Sequence, residues 1–347
     1  MKRTIIKGIC FVAMLIGILA IANIIYVRWF YNDDIIEADA TMLFQLDSLQ
    51  NVSDVIYIGE SSNATYSPTD TCSKTISELI QRQTPGIVIG TLQHGAYHAN
   101  GYLELIKNIK TGSRVKTLIV TMNLRSFGAA WINSNLETPL MKANVMYAKY
   151  PPIIKRMMLA LGAYDQKTNE ERGRIMNDHW SYDKLNVAAD FPYKNSQDWN
   201  RERAFSPMDT FPDGSLNAAQ KDLACNYIKI LGFSIDTLTN PRIKDFDEIV
   251  RVAKEKNLNL VFNLMAENVD GADSLVGYQL TLLLRQNRDL LMNRYNKDGV
   301  IVVDNLELVS EKNFIEQDVI SEHYDQVGRL QIASNVVNVA GRYLKAK

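Results

Sequence analysis

The chain has 347 residues, of which 46% are hydrophobic and 22% charged, and a formal net charge of −1. That length and apolar content suit one sizeable α/β domain, or one domain with a substantial insertion, and no low-complexity tract points to disorder. The near-neutral balance, with no long basic stretch after the N-terminus, excludes nucleic acid as an expected partner.

Lys2, Arg3 and Lys7 precede an uncharged stretch over 8–27 that Arg28 closes. A helix of that length is about what a hydrocarbon core requires, and Asn23 alone interrupts the apolar character. The basic flank predicts a cytoplasmic N-terminus and an extracytoplasmic main domain, periplasmic or at the cell surface. A cleaved signal peptide is the rival reading, because Ala20-Ile-Ala22 resembles a small-x-small cleavage site. The apolar run continues to Val27, which favours an uncleaved anchor. Residues 1–30 are therefore read as a transmembrane anchor, 31–52 as a linker and short helix, and 53–347 as the main domain. Cys10 lies in the anchor, leaving Cys72 and Cys225 as the one intramolecular pair an oxidising compartment could join; two separate buried thiols fit equally well.

Five near-continuous apolar runs rich in β-branched residues follow, at 55–59, 86–92, 116–123, 258–265 and 300–304. Such runs suit strands covered on both faces. Helical periodicity fills the gaps, at 69–84, 100–110, 243–256, 276–295 and 326–344. The alternation predicts a flavodoxin-like doubly wound α/β sheet of about five parallel strands with helices on both faces. The crossover after the third strand is far too long for one helix, so 127–240 is read as an inserted, mostly helical cap with helices at 140–161 and 216–231. It holds Trp131, Trp180 and Trp199, with Phe191, Tyr193, Phe205 and Phe211. These aromatics either form a sugar-stacking surface or pack the insertion's own core.

In doubly wound sheets, ligands collect at the carboxyl ends of the strands. The first three strand tips carry Gly59-Glu60-Ser61-Ser62, the turn to Gly95, and Met122-Asn123-Leu124-Arg125. A hydroxyl with backbone and amide donors around it is what acyl transfer requires. Ser61 is the candidate nucleophile, with Ser62 as the alternative. Donors for an oxyanion would be backbone N–H groups at the serine and at Gly95, with the Asn123 amide. Of four histidines, His323 directly precedes the last helix and is the candidate base. His94 competes from the second strand tip, and His179 is read as structural. No histidine pair has metal-ligand spacing, so no metal is expected, and serine acyl chemistry needs no organic cofactor.

Taken together, these blocks resemble the SGNH (GDSL-like) hydrolase superfamily. Gly59-Glu60-Ser61-Ser62 resembles its first block with Glu60 where Asp is usual. Gly95 matches the second-block glycine, Asn123 the third-block asparagine without its Gly-x-Asn-Asp context, and His323 the fourth-block histidine. The resemblance covers about 54–123 and 258–340 and implies a serine hydrolase. It also implies an acid three residues before the base, where this chain has Ile320. Asp318 is the first candidate for that role, Glu322 a weaker one, and a Ser-His dyad oriented by a backbone carbonyl a third arrangement. Arg125 is a candidate contact for an anionic substrate or a structural ion pair, and Glu267 a candidate substrate contact. Asn63-Ala-Thr65 forms a glycosylation sequon that is treated as chance, and Asp304 is assigned the capping of a turn.

The expected function is a membrane-anchored serine esterase or O-acyltransferase acting on acyl esters of cell-envelope or exported polysaccharide, or on a small acyl ester. The alternative is a catalytically silent SGNH-like module that binds a glycan or an envelope assembly partner.

Overall fold

A computed structural model describes residues 2–187, 191–205 and 209–345. Its centre is a five-stranded sheet of β1 (Val55–Gly59), β2 (Ile89–Gln93), β3 (Thr117–Met122), β4 (Asn259–Leu264) and β5 (Val300–Asp304). The strands are all parallel, in the order β2-β1-β3-β4-β5. This is the doubly wound order in which the chain reverses direction between β1 and β3, where a crevice opens at the carboxyl edge. Ser61 follows β1 and Asn123 follows β3, so the two flank that crevice.

The strands are buried on both faces and alternate between two cores. Ile56, Ile58, Leu118, Val120, Leu260, Phe262 and Val302 enter the larger one. Tyr57, Ile119, Val261, Ile301 and Val303 enter the smaller. The smaller core is closed by α4 (Ile76–Gln83) and α15 (Gln326–Ala340). The larger is covered by α5 (Ala99–Asn108), α12 (Pro241–Glu255) and α14 (Tyr278–Tyr295), with α13 (Val269–Val276) beside them. Side chains of a strand point alternately to opposite faces, so continuous apolar runs are what such a sheet needs.

Three helix boundaries differ from the sequence reading. Residues 69–75 stay outside α4, which starts where Thr75 forms a capping box with Glu78. The 276–295 segment breaks at Gly277, whose φ of +107° separates α13 from α14. The 140–161 segment splits at Pro151-Pro152 into α7 (Glu137–Tyr147) and α8 (Pro152–Ala160).

Residues 31–52, expected as a linker and short helix, are part of the folded body. They form α2 (Tyr31–Glu37) and α3 (Met42–Leu49), and bury Ile35, Met42 and Leu46 in the larger core. The insertion comprises α6 (Ala129–Ile132), α7, α8, α9 (Asn169–Tyr182), α10 (Ser196–Ala204) and α11 (Ala218–Leu231); residues 188–190 and 206–208 lie outside the described residues. Its Leu140, Met146, Tyr147, Trp199, Tyr227 and Ile228 are buried in the core that also holds the sheet. Trp199 is 1% exposed and stacks on Tyr193 with centroids 5.1 Å apart, so it packs the interior and offers no sugar platform. The N-terminal helix α1 (Lys2–Trp29) contains an 18-residue stretch with a mean hydropathy of 2.6 and is long and apolar enough to cross a membrane.

Candidate active site

β1 ends at Gly59, where a Cβ would lie 2.7 Å from Thr121 Oγ1 and 2.8 Å from the Tyr57 ring. Only glycine lets β1 approach β3 this closely just before the turn. The chain then enters a single turn of 3₁₀ helix, Ser61–Asn63, capped by the Glu60 side chain. Glu60 is buried, and its carboxylate accepts from the Ser62 N–H at 3.2 Å, from Ser61 Oγ at 3.0 Å and from Ser62 Oγ. Ser62 is fully buried in that contact, which removes it as a nucleophile, whereas Ser61 is only partly buried. The asparagine of the sequon is also fully buried, bonded to Ser77 and Gln93, and is closed to a glycan.

His323 reaches this turn from the far end of the chain. Its Nε2 lies 3.0 Å from Ser61 Oγ, and its Nδ1 lies 3.0 Å from Glu316 Oε1. Ser61, His323 and Glu316 therefore form one hydrogen-bonded line, with the geometry that a serine hydrolase triad requires. The carboxylate bonded to the imidazole is Glu316, and not Asp318 or Glu322. Phe314 and Tyr324 pair as an antiparallel bridge, and the Ile315 N–H donates to the His323 carbonyl at 3.0 Å. The 315–323 loop thus doubles back and sets position 316 beside position 323. Asp318 sits at the exposed tip of that loop.

Burial of Glu316 would raise its carboxyl pKa. Hydrogen bonds from Ser321 and His323, with the charge of His323, outweigh that and hold it below the usual carboxylate range. It is therefore ionised at neutral pH, as an orienting acid must be.

The loop and helix are fixed from below. Asp325 caps α15 by accepting from Val327 N and Gly328 N, both at 2.9 Å. Arg329, 1% exposed, donates to the carbonyls of Thr65, Cys72, Lys74 and Tyr324 and to Asp70. One guanidinium thereby ties the loop after Ser61 to the helix after His323.

The two expected oxyanion donors lie at the same sheet edge. Gln93 is in register with Gly59, and exposed Gly95 follows two residues on. Asn123 lines a recess of about 10 Å3 together with Glu60, so the β3 tip stands beside the nucleophile turn. Its Oδ1 is buried without a hydrogen bond among the described residues.

The other three polar candidates take structural places. Arg125 pairs with Glu322, donates to the Ile320 carbonyl at 2.8 Å, and lies 4.7 Å over the Trp131 ring. Glu322 is 0% and Glu267 1% exposed, so neither meets substrate, and Glu322 points to Arg125 instead of to the neighbouring imidazole. Sequence reasoning missed that Glu60, Glu267 and Glu322 form one buried group against a single arginine. Burial pushes Glu267 up to about 7, partly opposed by Arg125, and raises Glu322 further, with Glu267 and Glu60 adding to the rise.

That group gives a stability prediction. Glu267 holds its proton more tightly folded than unfolded, so its contribution is complete below about pH 4.5 and is lost as pH rises through 7. The loss is on the order of 3 kcal/mol. Glu267→Gln keeps the neutral form, so its urea midpoint should change less between pH 5 and 8 than that of the wild type. Equal declines in the two proteins would sink this assignment.

The remaining histidines are accounted for. His94 Nε2 pairs with Asp39 at 2.7 Å and its ring packs on Tyr97 with centroids 4.1 Å apart. His98 is buried against Glu137; burial and the nearby Arg242 push it down to about 4, so it is neutral. His179 pairs with Asp183 on an exposed helix end. Asp304 accepts from the Leu306 N–H at 3.0 Å, the turn-capping role expected of it. All three cysteines are free thiols.

No protein-family profile matches this chain, and no curated protein is similar to it. Among the described residues no cluster of His, Cys, Asp and Glu has the arrangement to hold a metal ion.

Proposed function

We propose that the protein is a membrane-anchored serine esterase or O-acyltransferase of SGNH type, acting outside the cytoplasm on acyl esters of cell-envelope or exported polysaccharide. The Ser61–His323–Glu316 line carries the reading: Oγ to Nε2 is 3.0 Å and Nδ1 to Oε1 is 3.0 Å.

In that reading Ser61 Oγ attacks the acyl carbonyl and gives its proton to His323 Nε2. Ionised Glu316 holds the Nδ1 proton and stabilises the imidazolium. The oxyanion forms towards Gly95 N–H and the Asn123 amide. His323 then protonates the departing alkoxide, leaving an acyl-Ser61 ester. Water attacking that ester, with its proton taken by His323, completes hydrolysis; a sugar hydroxyl in its place completes transfer. The polysaccharide assignment rests on the apolar N-terminal helix and on the family resemblance.

One observation favours the silent, glycan-binding alternative: Ser61 Oγ is also 3.0 Å from Glu60 Oε2, so a carboxylate competes with the imidazole for its proton. Turnover separates the two readings. The full chain in mild detergent should hydrolyse p-nitrophenyl acetate at neutral pH, and His323→Ala should remove most of that rate. No carboxylate limb should appear above pH 5, because Glu316 is held below its usual range. Absence of turnover with this ester and with acylated sugars would favour the binding module.

A further inference from the structure

A groove of about 680 Å3 lies between α5, α7, α8 and α12, and no residue of the serine site lines it. Its floor is apolar, with Met141, Val145, Met158 and Val252. Four cations, Lys107, Lys149, Arg251 and Lys256, stand around it against Glu104 and Glu255. Three are engaged: Lys107 by Glu104 at 2.7 Å, Arg251 by Glu248 and Glu255, and Lys256 by the Ile109 carbonyl at 2.6 Å. Lys149 is exposed and has no partner among the described residues.

The position of this groove relative to α1 is informative. The Ile153 N–H at the start of α8 donates to Asn23 Oδ1 of α1 at 2.9 Å. Asn23 stands about one helical turn before Val27, where the apolar stretch ends. If α1 spans a bilayer, α8 leaves it at headgroup depth. Ile153, Met157 and Leu161 share one face of the chain there, with Met157 47% and Leu161 79% exposed, and this stripe runs on from the contact with α1. Trp29 and Tyr150 are exposed nearby, the amphipathic aromatics that settle at membrane interfaces. Met158, on the adjoining face of α8, lines the groove.

We propose that this groove holds an anionic phospholipid of the bilayer that α1 enters, with acyl chains over Met141, Val145 and Met158 and the phosphate at Lys149. An apolar floor with one unpaired cation at its rim matches an anionic lipid and offers a zwitterionic one less. The inference rests on the anchor reading of α1 and is independent of the chemistry at Ser61.

The test is native mass spectrometry of the full chain released from micelles containing equal phosphatidylglycerol and phosphatidylcholine. Wild type should retain phosphatidylglycerol about tenfold over phosphatidylcholine, and Lys149→Glu should cut that retention roughly tenfold. Met158→Glu should abolish it, while Lys312→Glu, at an exposed site elsewhere, should leave it unchanged. Equal retention of the two lipids, no retained lipid, or equal losses in Lys149→Glu and Lys312→Glu would overturn the site. A protein bound in place of lipid and displaced by Met158→Glu would overturn it too. The intact mass reports separately whether residues 1–27 remain, so failure of the anchor reading is told apart from failure of the groove.

Discussion

Ser61→Ala is expected to lower kcat for p-nitrophenyl acetate by about 10⁴–10⁶-fold while leaving the melting temperature within a few degrees. The size follows from chemistry: without Oγ there is no covalent intermediate, and His323 has no hydroxyl to deprotonate. Stability should hold because Ser61 is only partly buried and the turn is capped by Glu60 through the Ser62 N–H, which the substitution keeps. Two side-chain bonds are lost, from Ser61 Oγ to Glu60 Oε2 and to His323 Nε2. Ser62→Ala is the informative control. It removes the other hydroxyl on Glu60, from a fully buried position, so it should cost stability while leaving the nucleophile in place. Activity lost from Ser62→Ala and kept in Ser61→Ala would reverse the assignment.

Glu316→Gln should lower kcat by on the order of 10²–10⁴, whereas Asp318→Asn should change it less than about twofold. A carboxylate at 3.0 Å from Nδ1 can only accept, so it fixes the proton on Nδ1 and leaves Nε2 free to take the Ser61 proton. A glutamine turning its amide to the ring donates to Nδ1 and stabilises the opposite tautomer, with Nε2 protonated and useless as a base. Glu316 is also half-exposed and bonded to Ser321 Oγ at 2.7 Å, which limits how far the loop shifts when the charge is removed. Asp318 faces solvent on the same loop and should be silent. Steady-state kinetics of the two variants decide it; an Asp318→Asn loss larger than that of Glu316→Gln would restore the sequence-based choice.

The strands were legible because each is covered on both faces and so carries an unbroken apolar run; all five lie within three residues of where that pattern puts them. Ser61 and His323 were legible for a related reason. Each sits at a punctuation mark, the Gly59 turn that ends β1 and the Asp325 cap that starts α15. Glu316 was not, because nothing within a short window of His323 points to it. It is seven residues away, and only the Phe314–Tyr324 bridge, with ring centroids 5.3 Å apart, folds the loop so that the two meet. Two aromatics bracketing the base were the available signal, and their pairing is a tertiary fact. The spacing of the SGNH resemblance points to Ile320, at the other end of the loop from Glu316. Glu267 and Glu322 read from sequence as functional-edge carboxylates; burial against Arg125 is a property of packing that one-dimensional patterns do not carry. The segment 31–52 misled through its polar start, Asn32-Asp33-Asp34, since Asp34 is buried as the acceptor of Tyr26 and Arg156.

The central claim is that Ser61 is a nucleophile driven by His323. Incubating the full chain with a fluorophosphonate and weighing it intact tests that without knowledge of the natural substrate. The account predicts one phosphonyl adduct, mapped to Ser61 by peptide sequencing, absent from Ser61→Ala and slowed by on the order of 10³-fold in His323→Ala. An unmodified wild-type chain, or an adduct that persists in Ser61→Ala, would contradict it.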